Sequence, residues 1–388
     1  MEVESQSRPR LELPAQEPEE TQEPAKQPTT TTQACTSTGG RGTPSWLAHD
    51  PVIRLRVWGT DRVYYLPAAD IGECVVGSEP LVGLQLLDPK GFVSRRHARL
   101  VRVEAFWLIE DLGSKNGIRE DGAYREKFLL VPGVEVSIGS LTLVAENQAL
   151  VHLGEYLMRV LGWEANRRAV DVALRAIRAA AARHTPLTIA GADDLVAVAR
   201  QLHLRTRPRA APFVVCGPGP RESDLQLRVT ATLDDARAAF ELAAGGTVCV
   251  RADELPVGFD HLTAAARDPK AHAQLIICAN TGSKWTDATA PAIVVPPLTT
   301  RALSEKQRIV SEYAVECLDE LGAAPTSFVE ANRDWVISQP AISFADIEIA
   351  TLRIIALNDA GNVHRAAARL GVSHVGLGAW FKRRGIKS

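Results

Sequence analysis

The hydrophobic period of this chain changes near residue 150, and that change limits what it can fold into. From about 50 to 147 the apolar residues come in short runs: Val52 to Val57, Val63 to Leu66, Ala98 to Val103, Phe106 to Glu110 and Leu141 to Val144. Turn residues separate them, including Asp61, Gly91, Gly113, Asn116-Gly117, Asp121-Gly122 and Pro132-Gly133. Short strands at close spacing with glycine turns predict a β-sandwich. After about 150 the spacing becomes helical, with Val170, Leu174, Ile177 and Ala181 on one stripe. Short two-sided apolar runs follow at Leu187 to Ile189, Phe213 to Cys216, Thr247 to Val250 and Leu275 to Cys278. Separated by helical stretches, they predict a buried parallel sheet. An all-helical unit begins near Ser343.

Composition bounds the rest. The 388 residues are 46% hydrophobic and 23% charged, ordinary globular material. Residues 1–47 are Glu-, Pro-, Thr- and Gln-rich, and such a segment buries too little surface to offset its conformational entropy. It is expected to be a disordered tail, and its run Thr29 to Thr32 a kinase substrate. No apolar run approaches the roughly 18 residues of a membrane span, and no signal pattern opens the chain. The six cysteines lack CxxC pairing, which favours a reducing cytoplasm and argues against a metal site. The net charge of −2 hides an asymmetry. After Asp359 there is no acidic residue, while Arg365, Arg369, Lys382, Arg383, Arg384 and Lys387 crowd the end. A basic terminus on a near-neutral chain points to a polyanion partner.

Within the sandwich, Gly77, then Ser94 with His97, then Ser114 with Asn116 and Gly117 form a spaced set. This region, 48–148, closely resembles a forkhead-associated (FHA) domain. The resemblance implies that the Ser94 hydroxyl meets a phosphate oxygen and that the Asn116 amide clamps the peptide main chain, with Arg95 as a nearby cation. Gly77, His97 and Gly117 are expected to be structural, His97 bracing the loops and Gly117 supplying a turn. The family's phosphate-pairing arginine is replaced by Ser78, so a strong charge-assisted contact must come from Arg95 or Arg96.

The stretch 149–335 resembles the AAA+ domain of sigma-54 activators, the bacterial enhancer-binding proteins. Strand Leu187 to Ile189, Gly191, Arg200 with His203, and Pro212-Phe213-Val214 fall in the family's order. A Gly-Gly-Thr strand ending in Glu254-Leu255-Pro256, a strand ending in Asn280, and the segment Pro296-Pro297-Leu298 follow. The catalytic parts are absent. The phosphate loop lacks its lysine and hydroxyl residue, and Asp193 and Asp194 stand where triphosphate would sit. The expected acidic pair is Arg251-Ala252, and no arginine lies between Arg267 and Arg301 to act as a finger. Between Cys216 and Gly245 the sigma-54-contacting loop is missing, leaving a short link and one helix, Leu233 to Leu242. A degenerate domain without enzymatic activity or cofactor is expected.

At 341–388, Ser343 caps a helix striped by Ile347, Ala350, Ile354 and Leu357. Gly361-Asn362 breaks it, Ala366, Ala367 and Leu370 mark a short second helix, and Ser373 caps a basic third after Gly371. This is the helix-turn-helix order, and the segment resembles the Fis-type domain that ends enhancer-binding proteins. His374, Val375 and Gly376 are placed for base edges, and Arg365, Arg369, Lys382, Arg383 and Arg384 for phosphates. Ala367, Leu370, Val372, Leu377 and Trp380 are expected to form core. Gly376 and Gly378, each costing about 1 kcal/mol against alanine, are read as allowing close approach of DNA.

The expectation is thus a multidomain cytoplasmic regulator: a β-sandwich FHA sensor, an inert α/β AAA+ platform and an all-α helix-turn-helix reader. Its partners would be promoter or operator DNA and a phosphothreonine-bearing protein or its own tail. A homodimer or higher oligomer is implied by the Fis-type resemblance, with no membrane association. Two alternatives are a weakly ATP-binding or ATP-hydrolysing sigma-54-dependent activator, and a phosphopeptide-binding scaffold with a vestigial reader.

Overall fold

The computed structural model describes residues 50–68, 70–163, 167–192, 194–217, 231–268, 273–280, 292–339 and 342–386. The expected tail, Thr29 to Thr32, Asp193 and Lys387 lie outside the described residues.

The first half alternates apolar and polar residues, and it folds into two packed sheets. One orders β2 (Val63–Tyr65), β1 (Arg54–Val57), β11 (Leu141–Glu146), β10 (Glu135–Ile138), β7 (Ile118–Glu120) and β8 (Ala123–Arg125). The other orders β4 (Leu84–Gln85), β3 (Glu73–Gly77), β5 (Ala98–Val103), β6 (Phe106–Asp111) and β9 (Lys127–Leu130). Inward residues of each strand, such as Leu55, Leu100, Trp107, Ile109 and Leu143, fill the space between. This is a β-sandwich, with the loops that follow β3, β4 and β6 meeting at one end.

The chain then turns helical through α1 (Gln148–Leu161) and α2 (Arg167–Arg183), whose buried stripe is Val170, Leu174, Ile177 and Ala180. A parallel sheet follows in the order β14 (Ala231–Leu233), β13 (Phe213–Cys216), β15 (Thr247–Arg251), β16 (Gln274–Asn280), β12 (Leu187–Gly191) and β17 (Ala292–Val295). The helices between these strands are α3 (Leu195–Thr206), α4 (Ala236–Leu242) and α5 (Phe259–Ala266). One expectation is corrected here. Leu233 belongs to strand β14 beside β13, and the helix expected from it begins only at Ala236, where the Asp235 carboxylate accepts the Ala238 N–H at 2.7 Å. The cap, not the apolar run, sets that boundary.

Five helices close the fold: α6 (Leu303–Leu321), α7 (Glu330–Ser338), α8 (Phe344–Ala360), α9 (Val363–Leu370) and α10 (His374–Arg383). Ser343 caps α8 with Asp346 returning the bond, and Gly361 ends it at φ 74°. The expected stripe of α8 is buried, and so are Ile349, Leu352, Ile355 and Ala356 on its other faces. A helix apolar all round belongs inside a protein. Ala345 and Ile349 meet Ala197 of α3, while Leu352 and Ile355 meet Ala314 and Cys317 of α6. One apolar cluster therefore runs from Leu150 in α1 to Phe381 in α10, across the boundary expected near 341. No described helix is long and apolar enough to cross a membrane.

Two buried polar joints hold these layers together. Arg56 of β1 is fully buried, and its guanidinium bonds the Glu146 carboxylate at 2.7 Å and both oxygens of Asp171 in α2. Asp171 also accepts the Gly59 N–H at 2.6 Å. Burial works against the Arg56 charge, but Asp171 and Glu146 more than compensate and raise its pKa. This joint ties the sandwich to α2. The second lies between α3 and α8: Glu348 accepts from Arg200 at 2.6 Å and from Gln201 at 2.8 Å, with all three buried.

Removing one partner of a buried pair leaves an uncompensated charge, so Asp171→Ala is expected to lower unfolding free energy by about 3 kcal/mol, measured by urea denaturation. A pH effect follows from His203, buried at the end of α3, whose Nε2–H donates to Ala211 O at 3.1 Å while Nδ1 pairs with Thr247 Oγ1 at 2.9 Å. Burial lowers its pKa from 6.5 to about 4. Between those values the unfolded chain binds the extra proton, so acidification removes stability over that window, by roughly 3 kcal/mol. His203→Gln is expected to flatten this part of the urea-midpoint profile against pH.

Candidate phosphopeptide site and DNA interface

The sandwich end is built by close approach of backbones. A Cβ on Gly77 would sit 2.0 Å from Arg95 O, so only glycine lets β3 lie against the 94–97 segment. Ser78 N–H then donates to Ser94 O at 3.0 Å and Glu79 N–H to Arg95 O at 3.2 Å. His97 is fully buried behind this contact. The Ser94 N–H donates to its Nδ1 at 3.0 Å, so the proton must reside on Nε2, which faces Gly117 O at 3.1 Å. One neutral imidazole thus joins the two loops that carry Ser94 and Asn116.

The second loop is held as firmly. Asp111 accepts Ser114 Oγ–H at 2.6 Å, and Ser114 Oγ in turn accepts the Gly117 N–H at 2.9 Å. Gly117 adopts φ 64°, in the left-handed region that glycine tolerates. Ser94 Oγ accepts the Lys115 N–H at 3.2 Å. Asn116 Nδ2 donates to Phe92 O at 2.8 Å, bridging the loops.

Sequence reasoning missed Asp88. Its carboxylate accepts from the N–H groups of Lys90, Phe92 and Val93 and from Ser140, folding the loop under Asn116. Partial burial opposes its charge, but these donors win and hold its pKa low. The only sequence signal was an Asp followed by Pro89 and Gly91 in a turn.

Ser78, in the place of the family's arginine, donates its hydroxyl to Val93 O at 3.0 Å and is spent inside the loop. Arg96 is exposed and lines a groove with Cys74, Glu79, Leu81 and Val82. Arg95 and Lys115 are exposed on the loops that carry Ser94 and Asn116.

At the strand ends of the parallel sheet, Gly191 has a packing reason: a Cβ would lie 2.7 Å from Val295 O. Asp194 caps α3, accepting the Val196 N–H at 3.2 Å. Burial pushes its carboxyl pKa up against the pull of the Val196 and Ala197 N–H groups. The N-terminus of α3 is thus capped by the chain's own carboxylate. Arg251 pairs with Glu254, and Asn280 Nδ2 reaches Asp253 at 3.3 Å, so both brace loops.

In the C-terminal helices, Ala367, Leu377 and Trp380 are buried, and Leu370 and Val372 pack beside them. Ser373 caps α10. His374 stacks on His364 with ring centroids 4.3 Å apart. Arg365, Lys382 and Arg383 are exposed. Two cations are employed within the fold: Arg369 bonds Asp359 and Leu321 O, and Arg384 lies 4.3 Å from the Trp380 ring centroid. Gly378 is half-buried, whereas Gly376 is exposed.

Residues 74–139 match the FHA domain family, so the chain carries an FHA domain. Solved structures similar to it include an FHA domain from work on phosphothreonine-dependent interactions, 25% identical with TM-score 0.22, covering 24% of this chain and 95% of that one. Mycobacterium tuberculosis EmbR in complex with a low-affinity phosphopeptide is 26% identical with TM-score 0.22, covering 25% of this chain and 24% of that one. The FHA domain of CT664 from Chlamydia trachomatis is 26% identical with TM-score 0.22, covering 24% of this chain and 95% of that one. No curated protein matches the chain.

Gly77→Ala is expected to force β3 away from Arg95 and lower stability by about 2 kcal/mol or more in thermal denaturation. Gly72→Ala, with nothing within 4 Å of its Cβ, is the control expected to change little.

Proposed function

We propose that this chain is a DNA-binding transcriptional regulator that brings a phosphothreonine-bearing partner to a promoter or operator. The observation that carries the reading is the braced pair of loops bearing Ser94 and Asn116 in the same chain as three closing helices that expose Arg365, Lys382 and Arg383. The phosphate would meet the Ser94 hydroxyl and the charges of Arg95 and Lys115, and the Asn116 carbonyl would accept from the peptide backbone. The bound segment would be a partner protein's phosphothreonine or the chain's own, among Thr29 to Thr32.

The sheet, α3 and the closing helices act as a pseudo-ATPase platform in this reading. Asp194 as cap, Arg251 paired to Glu254 and Asn280 turned to Asp253 support it, because each position that the AAA+ resemblance would make catalytic is engaged in structure. DNA would be read by the start of α10, at Ser373 and His374, and gripped through Arg365, Lys382 and Arg383. Arg369 and Arg384 contribute less, being held by Asp359 and Trp380. Any homodimer or larger assembly would use a surface other than α8, whose faces are covered.

A calorimetric titration of the full chain with a peptide of residues 24–38, phosphorylated on threonine, and footprinting on the promoter of its own operon test this. Ser94→Ala is expected to weaken the peptide about tenfold, and Lys382, Arg383 and Arg384 changed together to alanine to abolish the footprint. Phosphopeptide binding with no footprint in either protein would leave the scaffold reading. A thermal midpoint raised by ATP and magnesium would restore the nucleotide reading.

A further inference from the structure

The start of α10 carries a large apolar residue in the open. Val375 is 67% exposed, while Leu377, Trp380 and Phe381 bury the opposite side of the helix. Lys382 lies seven residues on from Val375, two turns along the same face, and is exposed as well. An exposed valine flanked by a stacked histidine pair and a cationic helix end gains nothing from water. It matches a surface that offers apolar groups among negative charges.

Gly376 stands beside it. Glycine is disfavoured in a helix, and close packing or a left-handed backbone normally explains it. Neither applies, since its φ is not positive and a Cβ would meet only the Ser373 Cβ, at an ordinary 3.8 Å. Gly378 differs in being half-buried, with Val363 of α9 at the same 3.8 Å from its Cβ position. The chain has an internal use for neither hydrogen, but only position 376 is on open surface.

Resting on the reading of α8–α10 as a DNA reader, we infer that Val375 selects a thymine through its 5-methyl group and that Gly376 keeps the helix backbone close enough for that contact. Thymine is the base whose major-groove edge carries a methyl, and an apolar side chain is its complement. A side chain at 376 would hold the helix off the base pairs while leaving the fold intact. The absence of any acidic residue after Asp359 leaves the approach of the phosphates unopposed.

The test is selection of random-sequence DNA duplexes by the full chain, followed by affinity measurement on the enriched sequence. Gly376→Ala and Gly378→Ala are each expected to raise the thermal midpoint, by about 1–2 °C. Gly376→Ala is expected to bind the enriched duplex about tenfold more weakly, and Gly378→Ala to bind it as the parent does. Val375→Ala should relax preference at one thymine. Replacing that thymine by deoxyuridine, which lacks the methyl, should weaken the parent about fivefold and leave Val375→Ala unaffected. Parent-like affinity in Gly376→Ala, or equal binding of thymine and deoxyuridine duplexes by the parent, overturns the inference and leaves the DNA reader standing. If the parent enriches no sequence, both fall.

Discussion

The placement of the sandwich on the helical and parallel-sheet layers depends on one buried guanidinium. Arg56 meets Glu146 at the end of the neighbouring strand β11 and Asp171 on α2, and is fully buried. Such a joint is a poor source of net stability, because desolvation offsets much of the attraction. Its value is directional. The carboxylate of Asp171 accepts from Arg56 and from the Gly59 N–H at once, and that geometry admits one orientation of the sandwich on α2.

From α2 the connection is apolar and then ionic again. The cluster that begins in α1 continues through the parallel sheet to α8 and α10. Glu348, gripped by Arg200 and Gln201, pins α8 against α3. Polar residues around the parallel sheet are spent on such joints: Asp194 caps α3, His203 bonds Thr247, and Arg200 pairs with Glu348. In the proposed reading the sandwich and the closing helices would hold two binding surfaces on one packed body. A ligand shifts an equilibrium only through differential affinity for two states. That reading therefore has a phosphorylated partner recruited without a change in DNA affinity.

Much of this was legible in the sequence because local rules govern it. The short apolar runs and glycine turns marked the sandwich, and Ser343, Gly361, Asn362, Gly371 and Ser373 marked the helix ends by cap chemistry. The resemblance to FHA domains implied a bracing role for His97 and a turn at Gly117. The long-range joints were not legible. Arg56 sits between Leu55 and Val57 and reads as an outward polar residue, since its partner Asp171 is 115 positions away. The same holds for Asp88, whose work is done on backbone N–H groups. Strand β14 was hidden because Thr232 and Leu233 read equally as the start of the following helix. The full burial of α8 had a signal, since Ile349, Leu352 and Ile355 exceed what one amphipathic stripe needs.

The claim that most needs testing is that the two binding surfaces share one fixed body. The direct measurement is the DNA affinity of the full chain with and without a saturating phosphothreonine peptide. A fixed body predicts the same affinity within about twofold, because coupled sites typically differ by fivefold or more. A change of about fivefold or larger would contradict it and require a second arrangement of the sandwich on α2.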